Sequence, residues 1–128
     1  MYVIDTYAFL EWFVHGSSSY RGYFEEIEKK GAYTTELVLL EIYHIVLHRE
    51  DREKANLIYK IISGFTEIIP LNDDRIKKTA EKRSEMLKKG KKLSYTDCLN
   101  LVVAEELKVK VLTGDEEFKN LPRVEFVK

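Results

Sequence analysis

Apolar residues along this chain follow two rhythms, one of short continuous runs and one of helical stripes. Tyr2-Val3-Ile4, Tyr33 to Thr35, Phe65 to Ile69, Lys110 to Thr113 and Val124 to Val127 are short β-prone runs, and Pro70 ends the third. Between them the spacing is helical. Thr6 to Phe13 follows the first run. Tyr20, Tyr23, Phe24 and Ile27 form a stripe closed by Lys29-Lys30-Gly31, with glycine where a helix C-terminus favours it. Leu37 to Leu47 is apolar nearly all the way round, which predicts a buried helix. Leu57, Ile58, Ile61 and Ile62 make another stripe. From Asp73 to Lys89 the pattern is charged, with a thin apolar stripe of Ile76, Ala80 and Leu87, and Gly90 stops it. Ser94 to Leu107 is helical again. Short apolar strands separated by helices predict an α/β fold, with a small, mainly parallel sheet covered on both faces.

Two acids stand where such a sheet places its binding sites, at the carboxyl ends of strands. Asp5 directly follows Tyr2-Val3-Ile4, and Asp115 follows Val111-Leu112-Thr113 after one glycine. If the two strands are parallel neighbours, both carboxylates emerge at one edge. Each also suits a helix N-cap, where aspartate accepts unpaired backbone N–H groups. Asp97 has a similar alternative, because Ser94-Tyr-Thr-Asp97 reads as a capping box. Glu41 differs from these. It lies inside the apolar helix with no basic residue one turn away, and an unpaired carboxylate there costs several kcal/mol or takes up a proton. Its compensation is either a distant Arg or Lys or a metal ion shared with other acids.

Carboxylates drawn together repel, and oxygen-rich clusters become stable around a hard cation, with Mg2+ or Mn2+ better suited than Zn2+. His44 and His48 are four residues apart, but His-Ile-Val-Leu-His lacks the glutamate of a zinc protease helix.

The 128 residues show no linker, repeat or low-complexity tract, so one domain over 1–128 is expected. The formal net charge of -1 does not announce a nucleic-acid binder, although local clustering matters more than the sum. The densest basic run is Arg75, Lys77, Lys78, Lys82, Arg83, Lys88, Lys89, Lys91 and Lys92, and its end lies just before Asp97. A lone cysteine, Cys98, excludes an intrachain disulfide and fits a reducing compartment. It reads as a small buried hydrophobe, with no basic or histidine activator beside it in sequence. No secretory signal or membrane-spanning stretch is evident, so a soluble, cytoplasmic protein is expected.

Four segments together resemble the motifs of PIN-domain nucleases. They are Asp5 in Tyr-Val-Ile-Asp-Thr-Tyr-Ala-Phe, Glu41 in Thr-Glu-Leu-Val-Leu-Leu-Glu-Ile-Tyr, Asp97 in Leu-Ser-Tyr-Thr-Asp, and Asp115 in Leu-Thr-Gly-Asp-Glu-Glu-Phe. The nearest likeness is to the toxin ribonucleases of VapBC toxin–antitoxin pairs, and it covers almost the whole chain. It implies a three-layer α/β/α domain and a metal-dependent endoribonuclease, with Asp5, Glu41, Asp97 and Asp115 as catalytic and metal-holding acids. Thr113 and Thr6 match hydroxyl positions that support the site, and Glu116 and Glu117 stand where an extra acid would be an outer ligand. The implied cofactor is Mg2+ or Mn2+. Lys88, Lys89, Lys91 and Lys92 are candidate RNA contacts. The likeness further implies an RNA substrate, a homodimer, and an antitoxin packed on the N-terminal helices that places a basic side chain at the acids. Two alternatives stay open: a non-catalytic PIN-like module that binds RNA or a partner, and an RNA-processing nuclease without a toxin role. A phosphoacceptor receiver domain shares the fold type, but no lysine directly follows Leu112-Thr113 and the middle strand ends at Pro70-Leu-Asn-Asp.

Overall fold

Successive residues of a strand face opposite sides of its sheet, and here that alternation sorts the apolar residues into two cores. In a computed structural model describing residues 1–128, Ile4 and Leu112 join one core while their neighbours Val3 and Val111 join the other. The elements run β1 (Tyr2–Ile4), α1 (Thr6–Phe13), α2 (Arg21–Lys30), β2 (Ala32–Thr35), α3 (Glu36–Arg49), α4 (Arg52–Phe65), β3 (Thr66–Ile69), α5 (Asp73–Lys88), α6 (Tyr95–Leu107), β4 (Lys110–Thr113) and β5 (Val124–Phe126). Short 3-10 turns occupy Ser18–Tyr20 and Glu116–Phe118. Residues of α1 to α4 form the first core against one face of the sheet, and residues of α5 and α6 form the second against the other. This is the expected three-layer α/β/α arrangement.

All five strands form one sheet in the order β3-β2-β1-β4-β5, and every pairing is parallel. The chain leaves β1 toward β2 and β3, then returns to place β4 on the opposite side of β1. That reversal makes the junction of β1 and β4 a topological switch point, with a crevice outside the carboxyl ends of the two strands. Ile4 is in register with Leu112, and the Asp5 N–H continues the ladder by donating to the Leu112 carbonyl at 3.1 Å.

The aromatic residues of the N-terminal half build core. Tyr20 and Phe24 are fully buried, and the Trp12 ring stacks on Phe24 with centroids 5.4 Å apart. None of the helices is long and apolar enough to cross a membrane.

Three expectations about helix faces are corrected. The helix carrying Glu41 is not buried all round: Val38, Leu39, Ile42 and Val46 face the core, while Leu40 is 64% exposed. In α4 the inward face is Ala55, Ile58 and Ile62, with Leu57 and Ile61 outside. In α5 the stripe of Ile76, Ala80 and Leu87 is not the buried face; Thr79 and Met86 are. The inner side of α5 uses the stems of Arg75 and Lys82, whose charged ends reach Glu106 and Glu105 on α6 at 2.7 Å each. Long basic side chains can cover apolar surface while their charged ends stay paired or wet, and an apolar periodicity does not register them.

Candidate active site

Asp5 stands at the switch point and is only 3% exposed. It occupies the N-cap position of α1, yet its side chain caps nothing. Instead one carboxylate oxygen accepts from the Asn100 amide nitrogen at 2.9 Å and the other from the Thr113 hydroxyl at 2.8 Å. The cap alternative therefore fails for this residue. Burial, with the nearby Asp97 carboxylate adding to it, pushes the Asp5 pKa up to about 7.

Asp97 does both things its sequence suggested. Ser94 accepts the Asp97 N–H at 3.0 Å and the Asp97 carboxylate accepts the Ser94 N–H at 3.0 Å, completing the capping box of α6. The same carboxylate faces the crevice. Burial raises its pKa, and the charges of Asp115 and Glu41 contribute in the same direction. Asp115 follows β4 and accepts the Glu117 N–H at 3.0 Å, while its own N–H donates to Thr113 Oγ1 at 3.1 Å. Glu41, half-buried on α3, accepts a 2.6 Å hydrogen bond from Thr6 Oγ1. Its protein partner is thus a hydroxyl, and neither Arg nor Lys compensates its charge.

Asp5, Glu41, Asp97 and Asp115 line a single open cavity of about 350 Å³ together with Thr6, Tyr7, Leu10 and Ser94. The lining contains no cationic side chain. No three acidic, histidine or cysteine side chains are gathered into a ready-made metal cluster, so the carboxylates stand apart around the cavity. An all-oxygen donor set with uncompensated charge fits a hard divalent cation and not a soft one.

The remaining candidates fall into two groups. Thr6 and Thr113 reach the acids directly, as described. Glu116 and Glu117 do not line the cavity, and Glu116 turns outward to Lys128 Nζ at 3.1 Å. Lys88, Lys89, Lys91 and Lys92 do not line it either, and Lys89 is paired with Glu85. His44 and His48 are exposed and stack on each other with centroids 6.1 Å apart, outside the cavity. Cys98 is buried and its thiol is pushed up to about 11 by desolvation, which keeps it protonated and unreactive at neutral pH.

Asn100 escaped the sequence reading. A signal was available: it is the one amide within Cys98 to Ala104, an otherwise apolar stretch of helix, and a buried polar group demands a partner. Asp5 is that partner.

Gly114, in the Thr-Gly-Asp segment, serves the same corner. A Cβ there would run into the Val127 carbonyl oxygen and the Tyr7 ring. Val127 cannot easily yield, since its N–H bonds the Thr113 carbonyl at 2.8 Å and its carbonyl accepts from the buried Tyr20 hydroxyl. Gly114→Ala is expected to lose about 1–3 kcal/mol of stability, the usual cost of overpacking, measurable as a lowered urea midpoint with an unchanged slope.

A parallel α/β sandwich with an acid-lined cavity at its switch point is the class of protein that fold and site define. The family profile described as PIN domain matches residues 2–124, and the chain belongs to that family. Among curated proteins none matches the sequence. Similar solved structures include VapBC2 from Rickettsia felis bound to a DNA fragment from their promoter, with TM-score 0.81 and 22% identity over 99% of this chain and 98% of that one. Mycobacterium tuberculosis VapC20, a sarcin–ricin loop cleaving toxin, gives TM-score 0.78 at 15% identity over 100% of both chains. FitAcB from Neisseria gonorrhoeae gives TM-score 0.75 at 18% identity over 98% and 96%. At these identities the likeness is one of fold.

Proposed function

We propose that this protein is a divalent-metal-dependent endoribonuclease and the toxin member of a toxin–antitoxin pair. The observation that carries the reading is the cavity at the β1–β4 switch point, walled by Asp5, Glu41, Asp97 and Asp115 and without a cation of its own. In this reading Asp5 and Asp97 hold the principal ion, and Asp115 and Glu41 complete the site directly or through water. Mg2+ or Mn2+, when bound, supplies an activated water and neutralises charge developing on the phosphate. The chain's own residues do the rest. Thr113 and Thr6 orient Asp5 and Glu41 through hydrogen bonds, and the capping box fixes Asp97 on α6. Lys88, Lys91 and Lys92, which form no salt bridge, remain available to a phosphate backbone passing Ser94. Arg75 and Lys82 are committed to Glu106 and Glu105 and are left out of that surface.

The antitoxin and a second copy of this chain are proposed partners. Support comes from exposed apolar side chains on α3 and α4, namely Leu40, Leu57, Tyr59 and Ile61, each at least 40% exposed. A cytoplasmic setting is proposed from the free thiol of Cys98.

Structured RNA is the substrate to test first, with the similar VapC20 being a sarcin–ricin loop cleaving toxin. Labelled structured RNA would be incubated with Mn2+ or Mg2+ and the wild-type chain, with Asp97→Asn, and with EDTA. Asparagine can still accept the Ser94 N–H, so the variant is expected to fold. The expected result is cleavage lost in both the variant and the EDTA lane. Equal cleavage by the variant would trace the activity to a contaminant. No cleavage in any lane by folded protein would favour a binding module.

A further inference from the structure

Asn100 is fully buried in the middle of α6, flanked by Leu99 and Leu101 and packed in a core that otherwise takes only apolar side chains from this stretch. A primary amide in such a place is costly unless its polar atoms find partners. Both its nitrogen and its oxygen find one, and in one orientation only. The carboxylate of Asp5 accepts, so the Asn100 nitrogen faces it at 2.9 Å and the Asn100 oxygen faces Thr35 Oγ1 at 3.4 Å. Thr35 Oγ1 therefore donates to Asn100, while it accepts the Val38 N–H at 3.3 Å as the N-cap of α3. From the other side Thr113 Oγ1 donates to Asp5 at 2.8 Å and accepts the Asp115 N–H at 3.1 Å.

These bonds form one chain whose donors all point inward to Asp5. It starts at the N-terminus of α3, which carries Glu41, crosses to α6, which carries Asp97, reaches Asp5 after β1, and continues through Thr113 to Asp115 after β4. We infer that Asn100 is a positioning residue for the cation site, holding Asp5 in one rotamer and tying the acid-bearing elements α3 and α6 to it. The inference rests on the metal-site reading above. An ionised carboxylate offers roughly four lone-pair sites, and Asn100 and Thr113 occupy one on each oxygen, leaving the others for a cation. Asn100 does not line the cavity and touches no reacting atom; it acts through Asp5. A merely space-filling residue at this position would have no need of an amide.

The test is the affinity of the metal-free chain for Mn2+, read from the signal of free Mn2+ by electron paramagnetic resonance, for wild type and Asn100→Ala. Loss of a partner that orients a ligand typically weakens a metal site by roughly 10–100-fold. That weakening is expected well below the melting temperature, where both proteins are folded by circular dichroism and a purely structural role would leave affinity unchanged. An Asn100→Ala protein that binds Mn2+ like wild type overturns the inference and leaves the metal site standing. A wild-type chain that binds no Mn2+ overturns both. Should the variant fail to fold, the wild-type protein decides by nuclear magnetic resonance. The side-chain amide of Asn100 should shift on addition of Mg2+ while those of Asn56 and Asn72, outside the cavity, stay in place; an unmoved Asn100 signal overturns the inference.

Discussion

Asp5→Asn is expected to reduce RNA cleavage by about a thousandfold or more, since a metal-holding carboxylate supports several kcal/mol of transition-state stabilisation. Both oxygens of Asp5 accept hydrogen bonds, from Asn100 and from Thr113. Asparagine presents an NH2 group where one of those acceptors stood, so either Asn100 Nδ2 or the Thr113 hydroxyl loses its acceptor inside the protein. A buried donor left without its acceptor costs about 1–3 kcal/mol. Removal of a buried negative charge acts in the opposite direction, so net stability should change much less than activity. Cleavage rates and urea melts on the same preparation check this. Wild-type cleavage by a folded Asp5→Asn protein would remove Asp5 from the reaction.

The metal-free protein should lose stability as pH rises from about 4 to about 7, and a divalent cation should reverse the trend. Asp5 ordinarily titrates near 3.8 and is pushed up to about 7 in the folded chain, first by burial and then by Asp97. Between those values the folded chain keeps a proton that the unfolded chain has released, so the free energy of unfolding falls with rising pH. Above about 7 both states are ionised at this group and its contribution levels off. A shift of this size corresponds to a few kcal/mol, and Asp97, raised for the same reason, adds to it in the same direction. A cation requires the ionised carboxylates, so its stabilising effect should grow between about pH 5 and about pH 8. Melts of the metal-free protein and of protein with Mn2+ across that interval check both halves. A metal-free stability that is flat or rising over the interval, or a Mn2+ effect independent of pH, would contradict the account.

The two predictions depend on residues of unequal visibility. Asp5 could be placed at a strand end because Tyr2-Val3-Ile4 is a short apolar run followed at once by an acid, and that reading requires no knowledge of the rest of the fold. Asn100 was equally present in the sequence, but its meaning depends on α6 crossing behind β1, which no local pattern expresses. Glu41 stands out in the sequence because its helix is apolar nearly all the way round. The helix exposes Leu40, and Glu41 is only half-buried, yet it still lines the cavity.

Local physics decided much of this protein. Strand runs and helical stripes, the glycine after α2, the Ser94–Asp97 capping box and the two aspartates at strand ends follow from interactions within a few residues, so the linear pattern contains them. Tertiary structure alone decided which acids share a cavity. It joined Asp5, Glu41, Asp97 and Asp115, left Glu116 turned toward Lys128, and committed Arg75 and Lys82 to Glu106 and Glu105. The physical reason is range. Backbone propensity and capping act over one helical turn, whereas charge pairing and burial depend on distances set by strand order, and β4 meets β1 only after more than a hundred intervening residues have folded around the sheet.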